Sequence, residues 1–230
     1  LHLHTSYSLN SGTIKIDDLI NIAKKRNISS LAMTDHLNIF GAVKFYNKCI
    51  KARIKPIIGC EIPLIVEQNH RIDNIVFLCQ NINGYYNLNK ILSSIHKSRS
   101  SNLGASLELL KKYNSDLICL SGGRNGLCGV NALQTPIDVT RNRIESISRV
   151  FNDRFYIEID RTNRVNENEY NNIALSCARD LSLPIVASND VLFMNDTDYE
   201  ANEVKVSIIQ KTKLDDRANQ DEYSPDQYFK

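Results

Sequence analysis

Short runs of β-branched and other apolar residues alternate along the chain with stretches whose apolar residues recur every three or four positions. Runs of the first kind are typical of buried strands, and stretches of the second kind are typical of amphipathic helices. Strands are predicted at LHLHT, SSLAMTDH, KPIIGCEIPLIV, NIVFLCQ, DLICLSGG, FYIEID and PIVASNDV. Helices are predicted at IKIDDLINIAKKRN, FGAVKFYNKCIKAR, NGYYNLNKILSSIHK, ASLELLKKYN, IDVTRNRIESISRVF, ENEYNNIALSCARDL and TDYEANEVKVSIIQ.

This alternation predicts the α/β class, with a parallel sheet whose strands are joined by crossover helices. About seven strand–helix units favour a closed barrel over an open doubly wound sheet. No glycine-rich phosphate-binding fingerprint follows any predicted strand, which argues against the common nucleotide-binding folds. In barrels of this kind, active sites lie at the carboxyl ends of the strands.

Composition adds little beyond these patterns. The 230 residues include 9 glycines and 5 prolines and no linker-like run, so we expect one domain over residues 1–210, followed by a connecting segment over 211–230. The net charge is +2, which gives no strong electrostatic footprint for nucleic acid. Six cysteines, none in a C-x-x-C pair, lie mostly in apolar runs. They predict reduced thiols in a cytoplasmic protein with no membrane partner.

Both ends of the sequence suggest a fragment of a longer protein. The chain begins with Leu1 in what is predicted to be a strand, not with Met. It ends in YSPDQYFK, where Ser224 followed by Pro225 is a helix-start signal.

Imidazoles and carboxylates follow several of the predicted strands. His2 and His4 are two residues apart in the first strand, so both side chains point to the same face. His36 ends the second strand in Thr-Asp-His, Glu61 lies in the third, and Asp190 ends the seventh. Such groups at one barrel mouth are typical ligands of zinc, manganese or iron.

These motifs make the sequence similar to a known family. It resembles the PHP (polymerase and histidinol phosphatase) domains, in particular those at the N-terminus of the bacterial DNA polymerase III alpha subunit, proteobacterial type. The matching stretches are LHLHTSYSLNSG, LAMTDHLNIFGAVKFY, IKPIIGCEI, NINGYYNL, LICLSGGRNG, DRFYIEIDR, LPIVASNDVLF and YSPDQYF. The resemblance implies a distorted (β/α)7 TIM-like barrel of the PHP type. It also implies a multi-metal site at the barrel mouth, which in some members has 3′-5′ exonuclease or phosphoesterase activity.

Carried over residue by residue, the resemblance implies a partly degenerate site. All four ligands of one metal position are retained, whereas only a histidine remains of the ligands of another. The retained ligands are His2, His4, Glu61 and Asp190, and the orphan ligand is His36. The positions of the lost ligands are Ser11, Asn74, Gly123 and Leu192. We therefore expect at most one divalent metal, Zn, Mn or Fe, whereas phosphodiester hydrolysis in such sites uses paired ions.

Two residues leave the metal count open. His70 lies four residues before Asn74 and would supply a ligand if the fourth strand began earlier, although a loop is favoured there. Arg124, next to the lost ligand position at Gly123, would place a cation where a metal once lay if its guanidinium pointed towards Glu61.

The resemblance favours a structural and partner-binding role over catalysis within this chain. The parent subunit would be a DNA-directed DNA polymerase, with Mg and primer–template DNA bound by a polymerase core that the fragment lacks. The expected partners are that core and the separate proofreading exonuclease subunit. Two alternatives stay open: a still-active metal-dependent 3′-5′ exonuclease or phosphoesterase, and a stand-alone PHP phosphatase. The incomplete ligand set and the polymerase-like C-terminal stretch argue against the last.

Overall fold

The structure, a computed structural model, describes residues 1–9, 11–66, 71–98, 103–213 and 223–230. Within these ranges the helices are α1 (Ile16–Lys25), α2 (Ala42–Lys51), α3 (Ile82–Lys97), α4 (Leu107–Tyr113), α5 (Ile137–Phe151), α6 (Glu167–Asp180) and α7 (Tyr199–Gln210). The strands are β1 (Ser30–Met33), β2 (Lys55–Val66), β3 (Arg71–Cys79), β4 (Leu117–Leu120), β5 (Phe155–Asp160) and β6 (Ile185–Ser188). None of the helices in these parts of the chain is long and apolar enough to cross a membrane.

The six strands form one sheet and hydrogen-bond in chain order. The pairs β1–β2, β4–β5 and β5–β6 are parallel, whereas β2–β3 and β3–β4 are antiparallel. The predicted α/β class is therefore confirmed, but the prediction of a wholly parallel sheet is wrong. Only residues 67–70 separate β2 from β3, and a parallel crossover needs about a dozen residues or more.

The first predicted strand, LHLHT, is reduced to two isolated bridges. Leu3 bridges Val191 and Thr5 bridges Ile14, both in the parallel sense. The main chain of His4 donates to the carbonyl of Val191 at 2.8 Å, and Val191 donates to the carbonyl of His2 at 3.0 Å. The segment is thus extended, as the sequence predicts, but it pairs for too short a distance to count as a seventh strand.

Tertiary contacts divide the chain into two compact units. Unit 1 contains Leu1–Ile58, Arg161–Val165 and Asn189–Lys230, and unit 2 contains Gly59–Asp160 and Asn166–Ser188. The core of unit 1 includes the apolar face of α1, as its periodicity predicts. This core consists of Leu3, Ile14, Ile16, Leu19, Ile20, Ala23, Leu31, Met33, Ala42, Phe45, Cys49, Ile54, Val191, Met194 and Phe229.

Unit 2 is built on β3 and the helices that contact it. α3 packs on β3, and its N-terminus is capped by Asn81, whose side chain accepts from the main-chain N–H groups of Asn83 and Gly84. Phe77 of β3 lies 5.5 Å from Phe151 of α5 between ring centroids. All six cysteines of the chain are free and five are buried, which agrees with the predicted reduced thiols.

The C-terminal residues belong to unit 1. Tyr228 bridges Phe193, and Phe229 is buried in the core of the unit. The helix predicted to begin at Ser224 is absent from residues 223–230, which form a turn followed by that bridge. Ser224 instead accepts a hydrogen bond from the main chain of Asp226 at 3.1 Å. The predicted boundary between residues 210 and 211 stays a prediction.

Candidate metal centre

His2, His4 and Asp190 converge in unit 1. One ligand atom from each lies within 4.8 Å of the other two, and in the described part of the chain this is the one group of three such ligands. Oδ1 of Asp190 lies 3.5 Å from Nε2 of His4 and 3.9 Å from Nε2 of His2. Both histidines are buried, and the Asp190 side chain is 14% exposed. The predicted ligands from the first and last strands are therefore brought together.

Local backbone geometry produces this convergence. The extended segment from His2 to His4 pairs with Val191, which fixes Asp190 beside the histidine pair. Asp190 has a φ of 44°, a left-handed conformation that non-glycine residues adopt infrequently. Such conformations persist where the surrounding structure enforces them, and here the pairing of Val191 with the histidine segment does so.

The other carboxylate oxygen of Asp190 faces a side chain that the sequence patterns did not single out. Nη1 of Arg164 donates to Oδ2 of Asp190 at 2.8 Å, and the Arg164 side chain is 1% exposed. Nε2 of Gln227 also donates to Oδ2, at 3.1 Å. Burial by itself would raise the pKa of Asp190, but the charge of Arg164 and the contacts with His4 and His2 outweigh it and hold the pKa well below its usual range.

Arg164 is itself firmly positioned. Its Nε donates to Oγ1 of Thr162 at 2.9 Å, and Thr162 is fully buried. A basic residue in a loop that follows a strand is an ordinary surface feature, so the segment RTNR gave no signal of a buried cation.

Ser8 connects the histidine pair to the Thr-Asp-His motif. Its Oγ lies 2.8 Å from Nδ1 of His4 and accepts from the main-chain N–H of His36 at 2.8 Å. A hydrogen bond on one ring nitrogen orients the other towards a ligand position. His36 is half-buried and lies outside the cluster of three. Its role as an orphan ligand stays a prediction.

Asp35 and Lys205 hold the turn between His4 and Gly12. Asp35 accepts from the main chain of Thr5 at 2.6 Å and from its Oγ1 at 2.8 Å. Burial raises the pKa of the Asp35 carboxyl, and the Thr5 hydrogen bonds offset part of the effect. Nζ of Lys205 donates to the carbonyls of Ser8 and Gly12 at 3.0 and 2.7 Å. Burial lowers the pKa of this ammonium, against the charge of Asp35.

The two predicted lost positions of unit 1 are Ser11 and Leu192. The carbonyl of Ser11 accepts from Nζ of Lys205 at 3.4 Å. Leu192 is buried, and its main chain donates to the carbonyl of Gln227 at 2.9 Å. Neither position offers a carboxylate or an imidazole in this chain.

Unit 2 carries the remaining predicted ligand, Glu61, on β2. The register pairs Glu61 with Val76, so Asn74 of β3 lies diagonally opposite on the same face. Nδ2 of Asn74 donates to Oε1 of Glu61 at 3.0 Å. An amide at this lost ligand position therefore occupies one oxygen of the carboxylate.

Gly123, also in unit 2, lies against two acidic residues of β5 that sequence reasoning missed. Gly123 has a φ of 56°, and an added Cβ would lie 3.0 Å from Oδ2 of Asp160. Glu158 and Asp160 are each 1% exposed. Glu158 accepts from the main chain of Gly122 at 3.1 Å and from the Ser188 hydroxyl, and Asp160 accepts from the Tyr170 hydroxyl at 2.8 Å. Their signal was two carboxylates, two residues apart, in the otherwise apolar FYIEID.

The sequence left open whether Arg124 places a cation near Glu61 and whether His70 supplies a ligand. The main chain of Arg124 donates to Oδ2 of Asp160 at 3.4 Å, and the prediction for its guanidinium stays a prediction. His70 lies outside the described residues.

The unit 1 cluster fits one divalent ion by donor type. Two imidazole nitrogens and one carboxylate oxygen are a common zinc or iron donor set. The ion would be held by Nε2 of His2, Nε2 of His4 and Oδ1 of Asp190, with Oδ2 already bonded to Arg164.

Known proteins share the sequence and the fold of this chain. Residues 1–162 match the PHP domain family. The DNA polymerase III alpha subunits of Pasteurella multocida and Escherichia coli K12 are 32% and 33% identical over 232 and 233 residues. Those matches cover the whole chain and 20% of each relative, so the chain spans about a fifth of their length.

A solved structure shares the fold. A protein of Bifidobacterium adolescentis, described as a metal-dependent phosphoesterase, matches with a TM-score of 0.53 at 13% identity, over 82% of this chain and 85% of that one. This likeness confirms the predicted fold class, a distorted TIM-like barrel of the PHP type. Together with the match over residues 1–162, it means that the chain belongs to the PHP domain family.

Proposed function

We propose that the chain is the PHP domain of a replicative DNA polymerase III alpha subunit and that it has a structural and partner-binding role. The observation that carries the proposal is the hydrogen bond from Asn74 to Glu61. It supports the proposal because Asn74 is the position at which the family resemblance implies a lost histidine ligand. The burial of Leu192, another such position, supports it as well, since phosphodiester hydrolysis in such sites uses paired ions.

The wider setting of this domain follows from its relatives. Their alpha subunits are about five times as long as this chain. The rest of such a protein would contain the polymerase core, bind Mg and primer–template DNA, and catalyse DNA-directed DNA synthesis in the bacterial cytoplasm. Within this domain we propose at most one divalent ion, for which the ligands in unit 1 would be His2, His4 and Asp190.

The competing proposal is a residual 3′-5′ exonuclease or phosphoesterase, which the retained ligands favour. The test uses the full-length protein with a labelled primer and, separately, a chromogenic phosphodiester, in manganese, cobalt or zinc. We expect no turnover above that of a Glu61→Ala variant. Turnover that Glu61→Ala abolishes, while Glu145→Ala on the surface of α5 leaves it intact, would make the domain an enzyme.

An exposed apolar stripe supports the docking of a partner. It lies on one face of α2 and extends to Phe40, two residues before the helix begins. The stripe consists of Phe40, Val43, Tyr46 and Ile50, which are 71%, 69%, 51% and 53% exposed. Contiguous exposed apolar residues at helical spacing mark protein-binding surfaces. Residues 40–55 also contain five basic residues and no acidic one. A partner with apolar side chains rimmed by carboxylates is complementary, and we assign this place to the proofreading exonuclease subunit.

A binding measurement between the full-length alpha subunit and its proofreading subunit tests this assignment. We expect the double variant Val43→Asp, Ile50→Asp to bind at least about tenfold more weakly than wild type, as for loss of central apolar contacts. Ile208→Asp on α7, where the side chain is 72% exposed, is the control and should bind normally. If only the Ile208→Asp variant lost binding, the interface would lie on α7. If the wild-type protein did not bind the proofreading subunit, the assignment of this partner would be wrong.

A further inference from the structure

We propose that the guanidinium of Arg164 is the resident cation of the His2–His4–Asp190 cluster and disfavours a metal ion there. This goes beyond the proposed function, because it concerns what holds the cluster together and does not depend on any partner or on the polymerase. It rests on contacts within unit 1 alone.

The first step is charge balance. Asp190 and Arg164 form a close pair with an Nη1–Oδ2 distance of 2.8 Å, and their side chains are 14% and 1% exposed. A buried carboxylate needs a nearby positive charge or it becomes protonated. Arg164 provides that charge permanently, because a guanidinium does not lose its proton in proteins. The Arg164–Asp190 pair is therefore electrically balanced without any added ion.

The second step is the way in which Arg164 is held. Its Nε is bonded to the buried Thr162 and its Nη1 to Asp190. A planar guanidinium fixed at two points loses little further freedom on making its ion pair. Gln227 adds a second donor to the same carboxylate oxygen. The Arg164 contact is therefore buried and held at two points, unlike that of a surface arginine.

The third step concerns an incoming dication. It would be held through Oδ1 of Asp190, while Oδ2 of the same carboxylate carries the guanidinium. Two like charges on opposite oxygens of one poorly solvated carboxylate repel each other. The hydrogen bonds to Oδ2 also draw electron density away from Oδ1, which makes it a weaker ligand. The donor atoms fit a metal ion, but the charge beside them opposes it.

Zinc titration of the full-length protein tests the proposal. Protein stripped with a chelator is titrated with zinc in competition with a chromophoric chelator. We expect Arg164→Met to bind one zinc ion roughly ten- to a hundredfold more tightly than wild type, because the substitution removes the positive charge that repels the ion. Adding His2→Ala to Arg164→Met should return the affinity to the wild-type value, which locates the ion in the cluster.

A matched arginine provides the control. Nη1 of Arg154 donates to the carbonyls of Asn114 and Leu117 in unit 2, each at 2.7 Å. Arg154→Met should leave zinc affinity unchanged. Equal zinc affinity for Arg164→Met and wild type would overturn the proposal.

A second measurement needs no variant. If Arg164 is the resident cation, the melting temperature of the wild-type protein should not change when a chelator or stoichiometric zinc is added, because an ion that does not bind the native state cannot stabilise it. A rise of several degrees with zinc would overturn the proposal. Tight zinc binding without hydrolysis of phosphodiesters would overturn the proposal for Arg164. It would leave the proposed structural role of the domain intact.

Discussion

Among single residues, Asp35 shows how a buried carboxylate can organise a turn. It is fully buried and accepts both hydrogen bonds that Thr5 offers, from the main chain and from the hydroxyl. These bonds fix the chain just after His4 and so determine the direction in which the histidine pair enters the cluster.

Replacing Asp35 with Asn should destabilise the protein. The amide has one acceptor oxygen where the carboxylate has two, so a buried donor of Thr5 loses its partner. We expect the free energy of unfolding to fall by about 1–3 kcal/mol, measured by urea denaturation. Asp138→Asn, in an exposed pair with Arg141, serves as the control and should unfold close to wild type. Equal stability of the two variants would show that the Asp35 bonds contribute little.

How far the sequence predicts the site depends on the residue. His2 and His4 were predictable because strand periodicity alone places residues two apart on one face. Arg164 was not, because its burial depends on the pairing of a distant carboxylate at Asp190 with a loop that follows β5. The two acidic residues of FYIEID were readable in principle, since carboxylates in an apolar strand need partners.

Among the elements, the turn after β4 depends most strictly on glycine. Gly122 has a φ of 89°, and a Cβ added there would lie 2.0 Å from the carbonyl oxygen of Asn74. Neither the backbone conformation nor the space admits a side chain. The turn thereby brings the main chain of Gly122 to Glu158, which accepts its N–H.

Gly122→Ala should therefore lower the free energy of unfolding by at least about 2 kcal/mol, from backbone strain and displacement of β3. Gly41→Ala is the matched control, because Gly41 has no positive φ and its added Cβ would meet the movable Tyr7 ring at 2.9 Å. Thermal and urea unfolding of both variants provide the measurement. A smaller loss for Gly122→Ala than for Gly41→Ala would contradict the strained turn.

The type of most elements was predictable, whereas strand direction was not. The seven helices predicted from apolar periodicity exist, since that periodicity is a local property of the sequence. The antiparallel β2–β3 pair follows from the lack of a helical stretch between the two strands. The short connection between the two strands is visible in the sequence. The parallel sheet was nevertheless predicted, because strands and helices alternate along most of the chain.

For the whole molecule, the last described residues contribute to the core of unit 1. Phe229 is buried in the core of unit 1, its carbonyl accepts from Nη1 of Arg26 at 2.6 Å, and the guanidinium lies 5.5 Å from its ring centroid.

Phe229→Ala should lower the free energy of unfolding by about 3–5 kcal/mol, the usual range for a buried aromatic side chain. Tyr228→Ala, at a half-buried neighbouring position, should cost less. Urea denaturation of the full-length protein, followed by hydrogen exchange in unit 1, gives the comparison. An unchanged stability for Phe229→Ala would favour the predicted boundary between residues 210 and 211.

Unit 1 is assembled from three separate stretches of the chain, and the last of them begins at Asn189. During synthesis, the histidine pair therefore leaves the ribosome long before Arg164 and Asp190. At typical translation rates, the interval between His4 and Asp190 is about 10–40 s. The chain of unit 2 ends at Ser188, so it is complete while unit 1 still lacks its carboxylate. The nascent protein therefore presents both imidazoles before their carboxylate neighbour has been made, and the chain of unit 1 is the later of the two to be complete.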